Sequence, residues 1–147
     1  MSDSRHAARA RLLATEHDPG RRVVIVGARI VTMGPNGVVQ GDLLIRGSRI
    51  EAIGPGLAET VRDAIRVDAS GRIVIPGLID SHIHAWEGQL RGIAPDARQR
   101  NYIAVTHAGT GPHYTPEDLA IAERLPAAQA INAGTTPIVD NCHNSRS

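Results

Sequence analysis

The pattern of apolar runs and turn signals changes at Pro76-Gly77, and this change constrains the fold more strongly than any other feature of the sequence. Over residues 21–75, short β-branched runs alternate with turn signals, and this pattern is typical of strands joined by tight turns. Asn36-Gly37 is a strong hairpin signal because both residues tolerate positive φ. The pattern predicts an antiparallel sheet or half of a β-sandwich over residues 21–75.

One segment precedes this predicted sheet, and two short strands end it. Residues 1–20 have a helix-forming composition with an irregular apolar pattern, which predicts a tail or a short helix. The last two strands of the sheet are expected at residues 62–68 and 72–75, separated by a turn at Ala69-Ser70-Gly71.

After Pro76-Gly77 the pattern predicts one βαβ unit. Residues 78–84 form an apolar strand, residues 115–133 a helix, and residues 135–140 a second strand. A strand, crossover helix and strand in this order normally give parallel strands with a right-handed connection. Residues 85–114 are expected to form a long, irregular loop.

The predicted helix carries clear signals at both ends. Thr115 is expected as its N-cap, Asp118 closes a capping box, and Gly134 stops the helix. Two prolines conflict with the regular pattern. Pro126 should kink or divide the helix, and Pro137 removes a ladder donor from the second strand, which a local bulge or kink would accommodate.

Composition excludes several classes of function. The formal net charge is +1 and the only aromatic residues are one Trp and two Tyr, so nucleic acid is not an expected partner. All 16 basic residues are arginine, which excludes a lysine nucleophile or Schiff base within this chain.

The single cysteine, Cys142, excludes an internal disulfide and favours a cytoplasmic location. The Arg21-Arg22 pair suggests an export signal, but Arg29 interrupts the apolar run behind it, and no membrane partner is expected.

His82 and His84 are the candidate metal ligands. On an extended strand they point to the same side, with Cα atoms roughly 6.6 Å apart at a rise of about 3.3 Å per residue. Two imidazoles at this separation can share one ion, and imidazole suits Zn, Fe, Mn or Ni. A His-x-His pair alone is more often accidental, so the spacing needs support from its context.

The context of the pair resembles a known family. The segments "GDLLIRGSRIEAIGPG", "GRIVIPGLIDSHIH", "YTPEDLAIAERL" and "NAGTTPIVDNCHNS" resemble the N-terminal part of the amidohydrolase superfamily, in its cytosine-deaminase and chlorohydrolase-like branch. The resemblance implies an α/β plus β fold, in which a small β-sandwich portion at 21–75 precedes, at 76–147, the first βαβ unit of an incomplete TIM (β/α)₈ barrel. It also implies that His82 and His84 hold one divalent metal, zinc or iron, for hydrolytic deamination of a heterocyclic or amide-like small molecule.

The same resemblance implies that part of the machinery is missing. A barrel of this type needs on the order of 250 residues, so the 147-residue chain is expected to be a truncated fragment. In the family, the remaining metal ligands and the general acid/base come from later strands, and no catalytic residue is identifiable here. The alternative is a catalytically inert fragment with a binding or assembly role, or an unstable product. The chain is a candidate homo-oligomer.

Trp86 and His143 are candidates for residues beside the substrate. Trp86 directly follows the strand that carries the histidine pair, and His143 follows the second strand. His107 and His113 fall in the predicted loop, where exposure to solvent is the commoner case. A local four-ligand site is a further alternative, and its members would be His82, His84, Asp140 and His143.

Overall fold

The computed structural model describes residues 2–143 and divides the chain into two compact units, which meet at Pro76 and Gly77. The first unit contains a five-stranded sheet and two helices. Its elements are α1 (Ser2–Ala14), β1 (Arg22–Val31), β2 (Val38–Arg46), β3 (Arg49–Gly54), α2 (Leu57–Thr60), β4 (Ile65–Asp68) and β5 (Ile73–Val74).

The predicted hairpin between β1 and β2 is confirmed. The two strands pair antiparallel, with Val31 opposite Val38 at the turn. Thr32 donates its backbone N–H to the Gly37 carbonyl at 2.9 Å. Gly37 has a φ of +58°, which glycine adopts without the Cβ clash that other residues incur.

The sheet itself is mixed, so the prediction of an antiparallel sheet is wrong for its last two strands. The strand order is β3-β2-β1-β4, with β5 also beside β1, and both β4 and β5 run parallel to β1. The chain leaves β3 at one edge, passes through α2 and returns on the far side of β1. A pattern of short strands does not record which neighbour each strand joins, and the four-residue helix α2 is too short to show a period.

Apolar residues are buried on both faces of this sheet. One cluster contains Val24, Leu44, Ala58 and Ala64, and the other contains Ala28, Ile30, Leu43 and Ala69. Asp42 is buried beside them and is satisfied by two backbone donors. Its carboxylate accepts from Gly27 N at 2.9 Å and from Ala58 N at 3.0 Å, and so links the bulge in β1 to the start of α2.

The second unit has the predicted order of strand, helix and strand. Its two strands pair in parallel. Its elements are β6 (Leu78–Ile83), a 3₁₀-helix (Ala85–Leu90), α3 (Gln99–Val105), a π-turn (Thr106–Thr110), a second 3₁₀-helix (Gly111–His113), α4 (Pro116–Asn132) and β7 (Thr135–Asp140).

The capping box of α4 is confirmed. The Thr115 hydroxyl accepts from Asp118 N at 3.2 Å, and the Asp118 carboxylate accepts from Thr115 N at 2.9 Å. The Thr115 hydroxyl also donates to the Asp118 carboxylate at 2.7 Å, and this bond, followed by the one from Thr115 N, holds the pKa of Asp118 below its ordinary value. At the other end Gly134 has a φ of +84°, as expected for a glycine that stops a helix.

The prediction of an irregular loop over residues 85–114 is wrong, because most of that segment is helical. Each of its helices spans seven residues or fewer, and such lengths are too short for apolar periodicity to reveal them. The segment is held partly by Trp86, which is 1% exposed. Of the helices within residues 2–143, none has the length and apolarity to cross a membrane.

Both prolines are accommodated within their elements. The helix α4 continues through Pro126, whose side chain is buried against Gly88 of the first 3₁₀-helix. In β7 the register with β6 shifts by one residue between Thr135 and Ile138, so the segment that contains Pro137 is irregular, as predicted.

Candidate metal centre and adjoining pocket

The candidate metal centre lies at the carboxyl end of β6. His82 is in the strand, and His84 follows it directly. Their Nε2 atoms lie 3.3 Å apart, with the two rings edge to face at a centroid distance of 5.0 Å. Two nitrogens at that separation, each about 2.05 Å from a shared ion, subtend an angle of about 107°, which is close to tetrahedral. The pair therefore fits one divalent cation.

A backbone hydrogen bond determines which nitrogen of His84 carries the proton. His84 Nδ1 lies 2.8 Å from the carbonyl oxygen of Asn141. A carbonyl can only accept, so Nδ1 carries the hydrogen and Nε2 keeps a free lone pair toward His82. Metal-binding histidines commonly show this arrangement, with the outer ring nitrogen donating to a carbonyl or carboxylate.

The end of β7 supports the backbone around His84. Asn141 N donates to the Ile83 carbonyl at 2.8 Å, which continues the pairing of the two strands beyond β7. Asp140 Oδ1 accepts from Ala85 N at 3.0 Å. Residues at the end of β7 thus hold the backbone on both sides of His84, although they lie more than 50 positions later in the sequence.

The two predicted substrate-adjacent residues line one pocket beside this pair. The pocket has a volume of about 260 Å³, and its walls are Trp86, His107, Gly111 and His143. The His143 ring lies 4.6 Å from the His84 ring and 5.3 Å from the His107 ring, measured between centroids. The pocket therefore adjoins the histidine pair through His143.

His107 belongs to the pocket although sequence reasoning did not favour it. Its side chain is 26% exposed and meets the rings of Trp86 and Tyr102 edge to face, at centroid distances of 5.3 and 5.5 Å. His113, the other histidine of that segment, is exposed and lies outside the pocket. No local signal distinguishes the two, because helical packing alone turns His107 inward.

A small hydrogen-bond network lies behind His107. Thr106 Oγ1 lies 2.8 Å from His107 Nδ1 and 2.9 Å from the Tyr102 carbonyl. The Tyr102 hydroxyl donates to Glu87 Oε1 at 2.6 Å. Burial, together with this bond to a carboxylate, raises the pKa of Tyr102 to about 12.

Asp140 does not join the histidine pair in a four-ligand site. Its carboxylate gathers instead with Glu123 and Cys142, whose candidate ligand atoms all lie within 4.8 Å of one another. The Cys142 thiol donates to Glu123 Oε1 at 3.4 Å. Partly exposed acidic groups commonly gather in this way without an ion, and this cluster supports no site by itself.

The chain is similar in sequence to known deaminases. The chain is 30% identical over 122 residues to a 5-methylthioadenosine/S-adenosylhomocysteine deaminase of Pelotomaculum thermopropionicum, covering 80% of this chain and 28% of that protein. It is 29% identical over 120 residues to a 5'-deoxyadenosine deaminase of Methanosarcina mazei, covering 80% and 27%. No protein-family model matches the chain.

Among solved structures, a triazine hydrolase from Arthobacter aurescens is similar, with a TM-score of 0.70 and 27% identity over 82% of this chain and 28% of that one. By sequence and by fold, this chain is a homologue of the amidohydrolases. The resemblance inferred from "PGLIDSHIH" is thereby confirmed. A prolidase complexed with N-methylphosphonate-L-proline shares the fold, with a TM-score of 0.60 and 21% identity over 81% of this chain and 25% of that one. This amidohydrolase homologue spans less than a third of the length of the relatives that it matches.

Proposed function

We propose that this chain provides the first metal-binding strand of an amidohydrolase that hydrolyses a carbon–nitrogen bond, in the deamination of a nitrogen heterocycle or an amide-like small molecule. The observation that carries the proposal is the convergence of His82 Nε2 and His84 Nε2 to 3.3 Å, with the His84 tautomer held by Asn141. The relatives named as deaminases, and the similar triazine hydrolase, support this class of reaction.

The proposed architecture follows the same relationship. We assign residues 21–75 to a portion of a small β-sandwich and residues 76–147 to the start of a (β/α)₈ barrel, with residues 1–20 as a preceding tail or short helix. The parallel pairing of β6 and β7 across α4 supports the assignment of the barrel start, because parallel strands joined by a helix are its repeating unit.

His82 and His84 would hold one divalent metal ion, zinc or iron. Held by His82 and His84, such an ion would supply Lewis acidity for the hydrolysis of the C–N bond. The chain's own contribution is to orient the two imidazoles, with Asn141 accepting from His84 and Asp140 holding the backbone at Ala85. Further ligands and the general acid/base would come from other residues of a longer protein, since a catalytic zinc site uses about three protein ligands.

Metal binding by the purified 147-residue chain tests the proposal. Equilibrium dialysis against Zn²⁺, followed by elemental analysis, is expected to give one equivalent per chain. His82→Ala and His84→Ala should each abolish this binding, while His113→Ala, which changes an exposed histidine outside the pocket, should retain it. Equal zinc content in the wild type and in both variants of the pair would contradict the assignment.

A second candidate is a catalytically inert fragment that acts by association. Large apolar side chains on the two strands of the second unit are exposed, namely Leu78 at 55%, Ile79 at 73% and Val139 at 55%. Exposed apolar surface beside unpaired strand edges favours association with another chain. This candidate predicts self-association without any requirement for metal.

The expected partner remains a small-molecule substrate. The near-neutral charge and the few aromatic residues argue against nucleic acid. A cytoplasmic location is part of this proposal and rests on the single cysteine, which is typical of reducing compartments.

A further inference from the structure

The pocket beside the histidine pair is lined by rings. Trp86 meets His107 edge to face, at an interplanar angle of 86°, and meets Tyr114 at 84°. The His143 ring is tilted by 51° to His107 and by 37° to His84. Aromatic walls of this kind favour a planar π-system, which can stack on one ring and meet the edge of another. With a volume of about 260 Å³, the pocket suits one ring system rather than a larger ligand, since pockets for drug-sized ligands span roughly 300–1,000 Å³.

The hydrogen bonds behind His107 decide which of its nitrogens is protonated. A threonine hydroxyl has one hydrogen, and Thr106 Oγ1 donates it to the Tyr102 carbonyl at 2.9 Å. The contact of 2.8 Å between Thr106 Oγ1 and His107 Nδ1 must then be a hydrogen bond that His107 donates. With Nδ1 protonated and turned to Thr106, Nε2 is the ring nitrogen that remains for the pocket, and it carries a lone pair.

The indole nitrogen of Trp86, a residue in the wall of the pocket, is a hydrogen-bond donor without an acceptor in the described part of the chain. Within residues 2–143, Trp86 Nε1 has no hydrogen-bond partner, and the residue is 1% exposed. Because Trp86 Nε1 is itself inaccessible, the ring nitrogens that the pocket offers to a ligand belong to His107 and His143, and His107 Nε2 is an acceptor among them. Polar groups in a mostly apolar pocket determine the orientation and the identity of the ligand.

We infer that the pocket formed by Trp86, His107, Gly111 and His143 holds the planar nitrogen heterocycle of the substrate, and that His107 Nε2 selects it by accepting a hydrogen bond from an amino group on the ring. His107 is thus a specificity-determining residue, and Thr106 is a positioning residue that acts through it. The inference rests on the proposed deamination, because it adds the substrate subsite next to the same histidine pair.

The test uses the whole 147-residue chain and two matched probes. The probe 9-methyladenine carries an amino donor, whereas 9-methylpurine has the same ring system without any N–H. Trp86 is the only tryptophan in the sequence, so its fluorescence reports binding in this pocket directly. We expect 9-methyladenine to bind about tenfold more tightly than 9-methylpurine, the factor that one good hydrogen bond supplies.

Substitutions at His107 separate hydrogen bonding from ring packing. His107→Phe keeps an aromatic ring and removes the acceptor, so it should weaken 9-methyladenine binding about tenfold and leave 9-methylpurine binding unchanged. His17→Phe is the control, since that side chain is 93% exposed in the other unit. Equal weakening of both probes in His107→Phe would overturn the selective role.

Thr106→Val tests the same point without altering the histidine. The change removes the hydroxyl that holds the tautomer, and it should reduce the preference for 9-methyladenine while Thr106→Ser restores it. Zinc content is measured in every sample. A chain that binds zinc through His82 and His84 but shows no fluorescence response to either probe would overturn this inference and leave the proposed function standing. Equal zinc content in the wild type, His82→Ala and His84→Ala would overturn the proposed function itself.

Discussion

At the scale of single residues, the geometry of the histidine pair depends on hydrogen bonds with residues at the end of β7. His84 is oriented through Nδ1 by the Asn141 carbonyl, at 2.8 Å. The next residue, Ala85, donates its N–H to Asp140 Oδ1 at 3.0 Å. A strand places two histidines on one side, and these contacts orient His84 so that its Nε2 lies 3.3 Å from His82 Nε2.

Asp140 is expected to affect metal affinity without being a ligand. Asp140→Ala removes the acceptor for Ala85 N and frees the backbone after His84, so zinc affinity should fall about tenfold, within the range typical of outer-shell substitutions. Asp140→Asn keeps an oxygen acceptor and should remain close to the wild type. Competition titration with a chelating dye measures both variants. If Asn were as damaging as Ala, the carboxylate charge would be responsible, and the proposed positioning role would be wrong.

Glu51 is expected to make the folding stability of the chain depend on pH in the acidic range. Hydrogen bonds from Arg46 and then Arg22 lower the pKa of Glu51 from 4.5 to about 2. A carboxyl with a lowered pKa in the folded state stabilises the fold fully above its ordinary pKa, and this contribution is lost as the pH falls from about 4.5 to about 2.

Glu51→Gln removes that titration, so its thermal midpoint should depend less on pH than the wild type's between about pH 5 and pH 2. Melting curves followed by circular dichroism across this window test the expectation. Glu59→Gln, an exposed residue of α2 in the same unit, serves as the control. An unchanged pH dependence in Glu51→Gln would contradict the stabilising role of this ion pair.

At the scale of elements, the proline inside α4 has a packing reason. Pro126 and Ala122 are the buried residues of that helix, and both lie against Gly88 of the first 3₁₀-helix. A Cβ added at Gly88 would lie 2.7 Å from the Ala122 carbonyl oxygen and 2.7 Å from Pro126 Cδ. The two helices can therefore approach this closely because residue 88 has no side chain.

Gly88→Ala is expected to lower the free energy of unfolding by about 1–3 kcal/mol, the usual cost of overpacking a tight contact. Gly54→Ala provides a matched control, since a Cβ there meets nothing within 4 Å and its φ is not positive. Chemical denaturation followed by far-ultraviolet circular dichroism measures both. If Gly88→Ala were as stable as the wild type, α4 and the 3₁₀-helix would not be packed as described.

At the scale of the whole molecule, the two units differ in how well they bury their apolar residues. The sheet of the first unit has buried clusters on both faces. The second unit has a two-stranded sheet, and several of its large apolar side chains remain exposed. A two-stranded sheet rarely provides independent stability without further packing.

We expect the purified chain to self-associate through the exposed face of the second unit. Ile79→Lys places a charge at a position that is 73% exposed on β6 and should lower the mass measured by size-exclusion chromatography with light scattering. Ile73→Lys, at a residue that is 65% exposed in the first unit, should leave the mass unchanged. A wild-type chain that stays monomeric at all concentrations would contradict this expectation.

Several features of the fold and of the site could be predicted from the sequence because they depend on residues close to one another along the chain. The capping box joins Thr115 to Asp118, three positions away, and the hairpin depends on Asn36-Gly37. The placement of His82 and His84 on one side follows from the two-residue period of a strand. Short-range geometry of this kind is set by backbone dihedrals and neighbouring side chains.

Other features were decided only by the tertiary structure. The parallel pairing of β4 with β1, the helical packing that turns His107 into the pocket, and the Asn141 carbonyl that orients His84 all join distant residues. Such contacts depend on which surfaces meet after the chain has folded, and no local signal records them. The sequence by itself indicated the resemblance to the amidohydrolases and the two candidate ligands, whereas the folded chain determined the His84 tautomer, the approach of the two Nε2 atoms and the pocket beside them.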